Sequence, residues 1–331
     1  MKPPAEAAVA EWLRARIAEQ GPISVADYMA AANAHYYGHR ESIGAEGDFI
    51  TAPEISQMFG ELIGIWIADL WLRAGRPAGT RFVELGPGRG TLARDALRAM
   101  TAAGLTPPVE LVETSPSLRA KQKTLVPTAR WHNDLSSLPD DGPLLVVANE
   151  FFDALPVHQF DQTGRELLVD QAGDGFVRKG EVDRESSPQS VEIVGDLSRR
   201  LAVQGGAALI VDYGHDGPGK GDTLQAVSRH EQADPWQAPG SRDLTAFVDF
   251  PALASAARDK GAKVYGPVTQ GEYLDAMGIQ LRAAALAKAS PERTGEIAAA
   301  RDRLIGVSQM GRLFKVMALG APDWPAPVGL R

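Results

Sequence analysis

The chain contains no cysteine. Disulfides, thiolate-ligated metals and a cysteine nucleophile are therefore excluded, and with the nucleophile goes the covalent route for methylating the C5 position of cytosine. No other metal-ligand pattern stands out, and none is expected. A run of about 18 apolar residues, the minimum for a membrane-crossing helix, is also missing, so no membrane insertion is expected. Met1 to Ala10 lack both a basic flank leading into an apolar core and an Arg-rich amphipathic pattern, so the expected location is cytoplasmic. Positive charge is in short supply: 34 Lys and Arg stand against 42 Asp and Glu, a net charge of −8. That balance disfavours a broad phosphate-binding surface, and hence a nucleic-acid partner, while a cationic substrate is easily accommodated.

What is present fits a compact enzyme. The 331 residues, 44% of them apolar, suffice for one large domain or two ordinary ones. Strand and helix patterns alternate, which indicates a mostly parallel sheet covered on both faces. The strands read from the pattern are Arg81 to Leu85, Val109 to Glu113, Ala129 to His132, Leu144 to Asn149, Ala207 to Tyr213, Lys263 to Tyr265 and Leu313 to Ala318. The last is expected to be antiparallel, at or near an edge. Three regions fall outside the alternation. Residues 1–79 read as helical, residues 157–180 as a β meander around Gly164 and Gly173-Asp174-Gly175, and residues 216–243 as a loop folding over a cleft. Apolar faces at 56–72 and 271–300 would suit a homodimer, although burial within the monomer explains them more simply.

The most informative stretch is Phe82-Val83-Glu84-Leu85-Gly86-Pro87-Gly88-Arg89-Gly90-Thr91-Leu92, an apolar strand that ends in a glycine turn before a helix. A dinucleotide site wants G-x-G-x-x-G, with the third glycine closing the helix on the sheet around a pyrophosphate. Here the spacing is G-x-G-x-G and Thr91 falls where that third glycine would be. The wider loop, with Glu84 just before it, suits a cofactor without pyrophosphate that carries an amino acid and a sulfonium: S-adenosylmethionine. A bare backbone need for glycine in a tight turn is the alternative. Glu113, ending the second strand, is placed to accept both ribose hydroxyls, or else to cap the following helix. Asp134, after the third strand, suits adenine N6 or an Asx turn.

The fourth strand runs into Asn149-Glu150-Phe151-Phe152-Asp153-Ala154-Leu155-Pro156, beyond the carboxyl ends of the strands where ligands bind in open α/β sheets. Glu150 and Phe151 stand where amide and adenine methyltransferases carry two prolines, which weakens that reading. Carboxylates suit a guanidinium instead, whose pKa above about 12 and delocalised lone pair demand a bidentate clamp that localises charge away from the attacking nitrogen. Glu150 is the candidate clamp, Asp153 the second clamp or proton acceptor, and Asn149 the third catalytic candidate. Phe151, Phe152, Asp212 and Tyr213 are the candidate substrate-binding residues; the last two could equally fill a turn. His158 is either a relay or a polar start to the meander. Near the N-terminus, Gly47 to Glu61 hold a glycine-flanked Asp48-Phe49-Ile50-Thr51 loop, read as a cofactor lid with Asp48 and Thr51 as contacts. After it, Phe59, Ile63, Ile67 and Leu70 form a core stripe at helical spacing.

These motifs together resemble the MidA-like family of S-adenosylmethionine (SAM)-dependent methyltransferases. The likeness runs from Pro22-Ile23-Ser24-Val25-Ala26-Asp27-Tyr28-Met29 and Tyr36-Tyr37 through Gly47 to Glu61, Glu84 to Leu92, Asn149 to Pro156, Asp212-Tyr213-Gly214 and Asp243-Leu244-Thr245 to Phe314-Lys315-Val316. It implies an α/β fold, a Rossmann-like seven-stranded class I methyltransferase core at 80–331 with insertions near 157–180 and 216–300, preceded by a helical region and lid at 1–79. SAM would be held by Gly86, Gly88, Gly90 and Glu113. The resemblance further implies a protein arginine as acceptor, because mitochondrial members symmetrically dimethylate an arginine on one subunit of respiratory complex I, the forty-nine-kilodalton one, during its assembly. Phe247 stands where relatives usually carry histidine, so any role of that imidazole is absent or moved. Two other readings stay open on the residues alone: a methyltransferase-fold scaffold or assembly chaperone without turnover, and an enzyme acting on a small-molecule amine.

Overall fold

The computed structural model describes residues 6–39, 51–217, 221–228 and 231–330. Its central sheet holds the seven expected strands: β1 (Arg81–Leu85), β2 (Val109–Val112), β3 (Arg130–His132), β4 (Leu144–Asn149), β5 (Gly206–His215), β6 (Lys263–Thr269) and β7 (Phe314–Gly320), in the order β6-β7-β5-β4-β1-β2-β3. The pairs from β5 to β3 are parallel, and β7 is antiparallel to both its neighbours, one place in from the edge. Every residue of β4 is buried, as are the first eight of β5, which is why they read as unbroken apolar runs rather than alternating ones. The register sets Leu85 beside Ala148 and Val211 beside Asn149, so the ends of β1, β4 and β5 open on one crevice. Chain order reverses between β1 and β4, and such a switch point is where open α/β sheets bind ligands.

Helices α1 (Glu6–Gln20) and α2 (Val25–His39) precede the sheet, α3 (Gln57–Arg73) and α4 (Thr91–Ala102) pack on one face, and Pro188–Gln204 and Phe250–Asp259 cover the other. The stripe Phe59, Ile63, Ile67 and Leu70 on α3 is fully buried within the monomer. Gly64 lets α3 and α4 cross at backbone contact, since a Cβ there would lie 2.4 Å from the Ala96 carbonyl oxygen. Helices Gln270–Ala276, Ile279–Ala289 and Thr294–Ile305 complete this layer, burying Tyr273, Leu274, Ile279, Ala283 and Leu304.

The stretch after β4 does form strands, but they are shared out. Leu168–Ala172 and Gly175–Arg178 pair as a hairpin extended by Ile23–Ser24 from the N-terminal region, whereas His158–Phe160 pairs with Arg184–Ser186. The 216–243 stretch departs further from its reading as a loop. Gln225–Ser228, Glu231–Ala233 and Asp243–Thr245 build a three-stranded antiparallel sheet. Strands of three or four residues offer too few positions for a period to emerge from a background of Gly, Pro, Asp and Gln. What anchors this sheet is long-range: Ala226 and Leu244 join a core with Val25, Tyr28, Val169 and Phe176. Asn33 fastens α2 to it, the side-chain amide donating to the carbonyls of Ala154 (3.0 Å) and Leu244 (2.7 Å) while its oxygen accepts from the Leu244 amide (3.0 Å). α2 thereby lies over the crevice.

Candidate active site

The glycine loop leaves β1 with Gly86, Gly88 and Gly90 all in left-handed conformations, at φ of +60°, +53° and +87°. At Gly86 a side chain is doubly excluded, because a Cβ would also lie 2.8 Å from Cδ2 of Phe151. Gln122 stitches the loop to the second strand, its amide nitrogen donating to the Gly88 carbonyl (2.7 Å) and to Glu113 Oε2 (3.2 Å). The Trp131 indole donates to the Gln122 oxygen at 2.8 Å and fixes its orientation. Glu113 also accepts from the Ser115 amide at 2.8 Å, and burial holds its carboxyl above the usual range. Glu84 is more deeply enclosed: burial pushes its pKa up to about 8, and Oε2 has no hydrogen-bond partner.

A cavity of about 500 Å³ opens here. Gly86, Gly88 and Glu113 line one side, Glu150, Phe151, Asp153 and Tyr213 the other, and Asn33, Tyr37 and Asp243 close it from α2 and the small sheet. A smaller cavity of about 60 Å³ adjoins it between Thr51, Glu54, Glu84, Asn149 and Glu150.

The acceptor side is built at the end of β4. Glu150 adopts φ +50°, a left-handed conformation rare outside glycine, and its amide donates to the Val211 carbonyl at 2.9 Å. Its Oε1 accepts from the Ala52 amide (3.2 Å) and from the Asn149 side chain (3.1 Å). Burial, reinforced by the charge of Asp153, pushes Glu150 up to about 7. Burial likewise raises Asp153 to about 6, against the pull of a hydrogen bond with Tyr213. Asp212 is fully buried, and burial together with Asp153 and Glu150 drives it well above the usual carboxylate range. Three carboxylates therefore meet at one strand end.

The structure brings most of the expected site residues together. Thr51, Gly86, Gly88, Glu113, Glu150, Phe151, Asp153 and Tyr213 line the main cavity, and Glu84 and Asn149 line the small one. Others stand apart. Gly90 is buried against Gln122 at the start of α4. Asp134 is exposed and caps the turn Leu135–Ser137 through the amides of Ser136 (2.9 Å) and Ser137 (3.3 Å), so the Asx-turn reading describes it. Phe152 and Asp212 lie behind the cavity wall. Asp48, and with it the loop up to Ile50, lies outside the described residues. His158 contacts Glu166 at 2.5 Å, away from the cavity. Phe247 packs between Tyr213 (5.6 Å) and His215 (5.3 Å), so an imidazole stands beside this position. Sequence reasoning missed Asn33, Gln122 and the site role of Tyr37 and Asp243, whose partners are far away in the chain.

The residues present fit SAM. Glu84 Oε2 and Asn149 Oδ1 are buried oxygens without a donor, and they flank the small cavity beside the glycine loop, where an ammonium group would supply one. Glu113 faces the main cavity at the end of the second strand, where a ribose diol would be held.

Comparison with known proteins agrees. A family model described as "Putative S-adenosyl-L-methionine-dependent methyltransferase" matches residues 62–180 and 178–268. Mitochondrial protein arginine methyltransferase NDUFAF7 of Mus musculus is 38% identical over 92% of this chain and 82% of its own length. The human protein is 38% identical over 96% and 85%, and the NDUFAF7 homolog of Drosophila melanogaster 38% over 94% and 84%. All three are mitochondrial proteins, which overturns the cytoplasmic location expected from the first ten residues. A solved structure from Burkholderia thailandensis bound to S-adenosyl-homocysteine superposes with a TM-score of 0.84 at 28% identity, covering 98% of this chain and 94% of that one. A sheet, a glycine loop and a cavity of this kind, matched along nearly the whole chain, leave one conclusion: the chain belongs to this family of SAM-dependent methyltransferases, the MidA-like group that its motifs resemble.

Proposed function

We propose that the chain methylates an arginine of a protein substrate, symmetrically dimethylating one subunit of respiratory complex I during assembly. The observation that carries this reading is the acidity of the cavity: Glu150, Asp153 and Asp243 line it, and no Lys or Arg does among the described residues. A planar cation that offers several N–H donors is the natural complement. The arginine methyltransferase names of the curated relatives support the same acceptor.

SAM, when bound, supplies an electrophilic methyl group on a sulfonium. The chain's own part is orientation, charge and exclusion of water. Glu150, held by Ala52 and Asn149, grips the guanidinium so that one nitrogen faces the methyl in line, at about 3 to 3.5 Å in a near-attack arrangement. Asp153, steadied by Tyr213, receives the proton that the methylated nitrogen releases. α2 keeps water away from the crevice.

The test is methyl transfer from labelled SAM to complex I subunits purified one by one, with the labelled product digested and its methylated residue identified by mass spectrometry. Symmetric dimethylarginine on a single subunit, absent with Glu150→Gln, is the expected product. Tight SAM binding without transfer would favour the scaffold reading, and label on a small amine would move the acceptor outside proteins.

A further inference from the structure

Asp212 does not line the main cavity, yet both its carboxyl oxygens are engaged just behind it. Its Oδ2 accepts from three successive backbone amides, those of Phe151 (3.2 Å), Phe152 (3.0 Å) and Asp153 (3.3 Å). Its Oδ1 accepts from the Tyr213 amide at 3.0 Å. Successive amides converge on one oxygen where the backbone turns through a left-handed residue, forming an anion-binding nest. The left-handed residue here is Glu150, at φ +50°. For a side chain other than glycine that conformation is unfavourable. The four hydrogen bonds gathered on this one buried side chain offset it.

The consequence reaches the cavity. Glu150 and Asp153 bracket the three-amide turn, so the anchor that closes the turn also decides where both carboxylates point. In a strand running on without the turn, successive side chains would alternate between opposite faces and the two could not share one cavity wall. The anchor comes from the neighbouring strand, since all three turn amides reach Asp212 Oδ2.

We infer that Asp212 is a positioning residue for the methyl acceptor: it holds the turn that aims Glu150 and Asp153 into the cavity, and it acts through them rather than on the substrate. The inference rests on the proposed role of Glu150 as the acceptor clamp.

A double-mutant cycle tests it. Wild type, Asp212→Asn, Glu150→Gln and the double variant are compared for kcat and KM on an arginine peptide of the methylated complex I subunit, with SAM affinity and thermal melting measured in parallel. Asp212→Asn keeps one acceptor oxygen but loses the second. It should lower kcat/KM for the peptide by about tenfold or more, with SAM affinity within about twofold of wild type. The double variant should lose no more than Glu150→Gln alone, because two residues that act as a unit are not additive. Asp212→Ser serves if the asparagine variant does not fold, and the same pattern is expected of it. Losses that multiply in the double variant, or a fall in SAM affinity equal to the fall in turnover, would overturn the inference while leaving the role of Glu150 intact. Wild-type turnover by Glu150→Gln would instead remove the functional reading on which it stands.

Discussion

The Tyr37 hydroxyl donates to both carboxylate oxygens of Asp243 at 2.8 Å, joining α2 to the small sheet directly over the cofactor cavity. Burial and the charges of Asp243 and Asp153 keep this phenol protonated far above neutrality, so the bond persists across the working pH range. Removing the hydroxyl in Tyr37→Phe takes a donor from a buried carboxylate, a loss of about 1 to 3 kcal/mol. Calorimetry should register a lower melting temperature, and titration a weaker SAM affinity, because the roof over the cavity is loosened. An unchanged SAM affinity would mean that α2 covers the cavity without contributing to binding.

Activity should depend on pH in a direction set by the raised carboxyls. Burial lifts Asp153 to about 6, and burial with Asp153 lifts Glu150 to about 7, so each binds its proton at a higher pH than an exposed acid. Clamping a guanidinium requires the ionised forms. The rate at low substrate should therefore climb as pH rises through about 6 and about 7, then level off. Glu150→Gln should remove the upper step and lower turnover by about 100-fold or more. Retention of both steps in that variant would assign them to other groups.

Glu84 makes a prediction about stability instead of rate. Its native pKa of about 8 lies above the ordinary 4.5, so the folded chain favours the protonated acid. That contribution is complete below 4.5 and is lost as pH rises through about 8. Without cofactor, wild-type melting temperature should fall across this window more than that of Glu84→Gln, which has nothing to titrate there. Identical pH profiles for the two proteins would show that the buried carboxyl is already compensated.

Gly86→Ala probes the loop itself. The new methyl group would sit at φ +60° and 2.8 Å from the Phe151 ring, so either the loop or the ring must move. Titration should show SAM affinity weakened by about tenfold or more, consistent with about 1 to 2 kcal/mol for the left-handed backbone alone. Wild-type affinity would mean that Phe151 yields freely.

Much of this was legible in the sequence because the signals are local. Leu144 to Ala148 announce a doubly covered strand by being apolar without interruption, and Gly86 to Gly90 announce a turn by offering nothing else that tolerates positive φ. Glu150 and Asp153 follow from their place at the end of that strand. What the sequence could not disclose depends on distant partners. Asn33 meets Leu244 from 211 positions away, and Tyr37 meets Asp243 from 206. Asn33 has no neighbour that marks it as special, and the Tyr36-Tyr37 pair marks a motif without saying what the second hydroxyl meets. At Asp134 the surroundings suited adenine or an Asx turn, and its Oδ1 takes the turn's bonds from the amides of Ser136 and Ser137. Asp212 suited a channel lining and a turn equally well, and only the amides facing it show what it holds.

The fastening of α2 by Asn33 also bears on how the protein comes into being. The cavity roof is drawn from a helix near the amino terminus, but the carbonyls and carboxylate that hold it belong to Ala154, Leu244 and Asp243. During synthesis the amino-terminal helices meet each other and the Leu168–Ala172 hairpin first, but the fastening of α2 by Asn33 and Tyr37 waits until the chain has grown past Leu244. Contacts of such long sequence separation close late because the loop entropy must be overcome first. The roof over the cavity is thus completed only once the strand Asp243–Thr245 has been made, long after the glycine loop and the acidic turn beneath it.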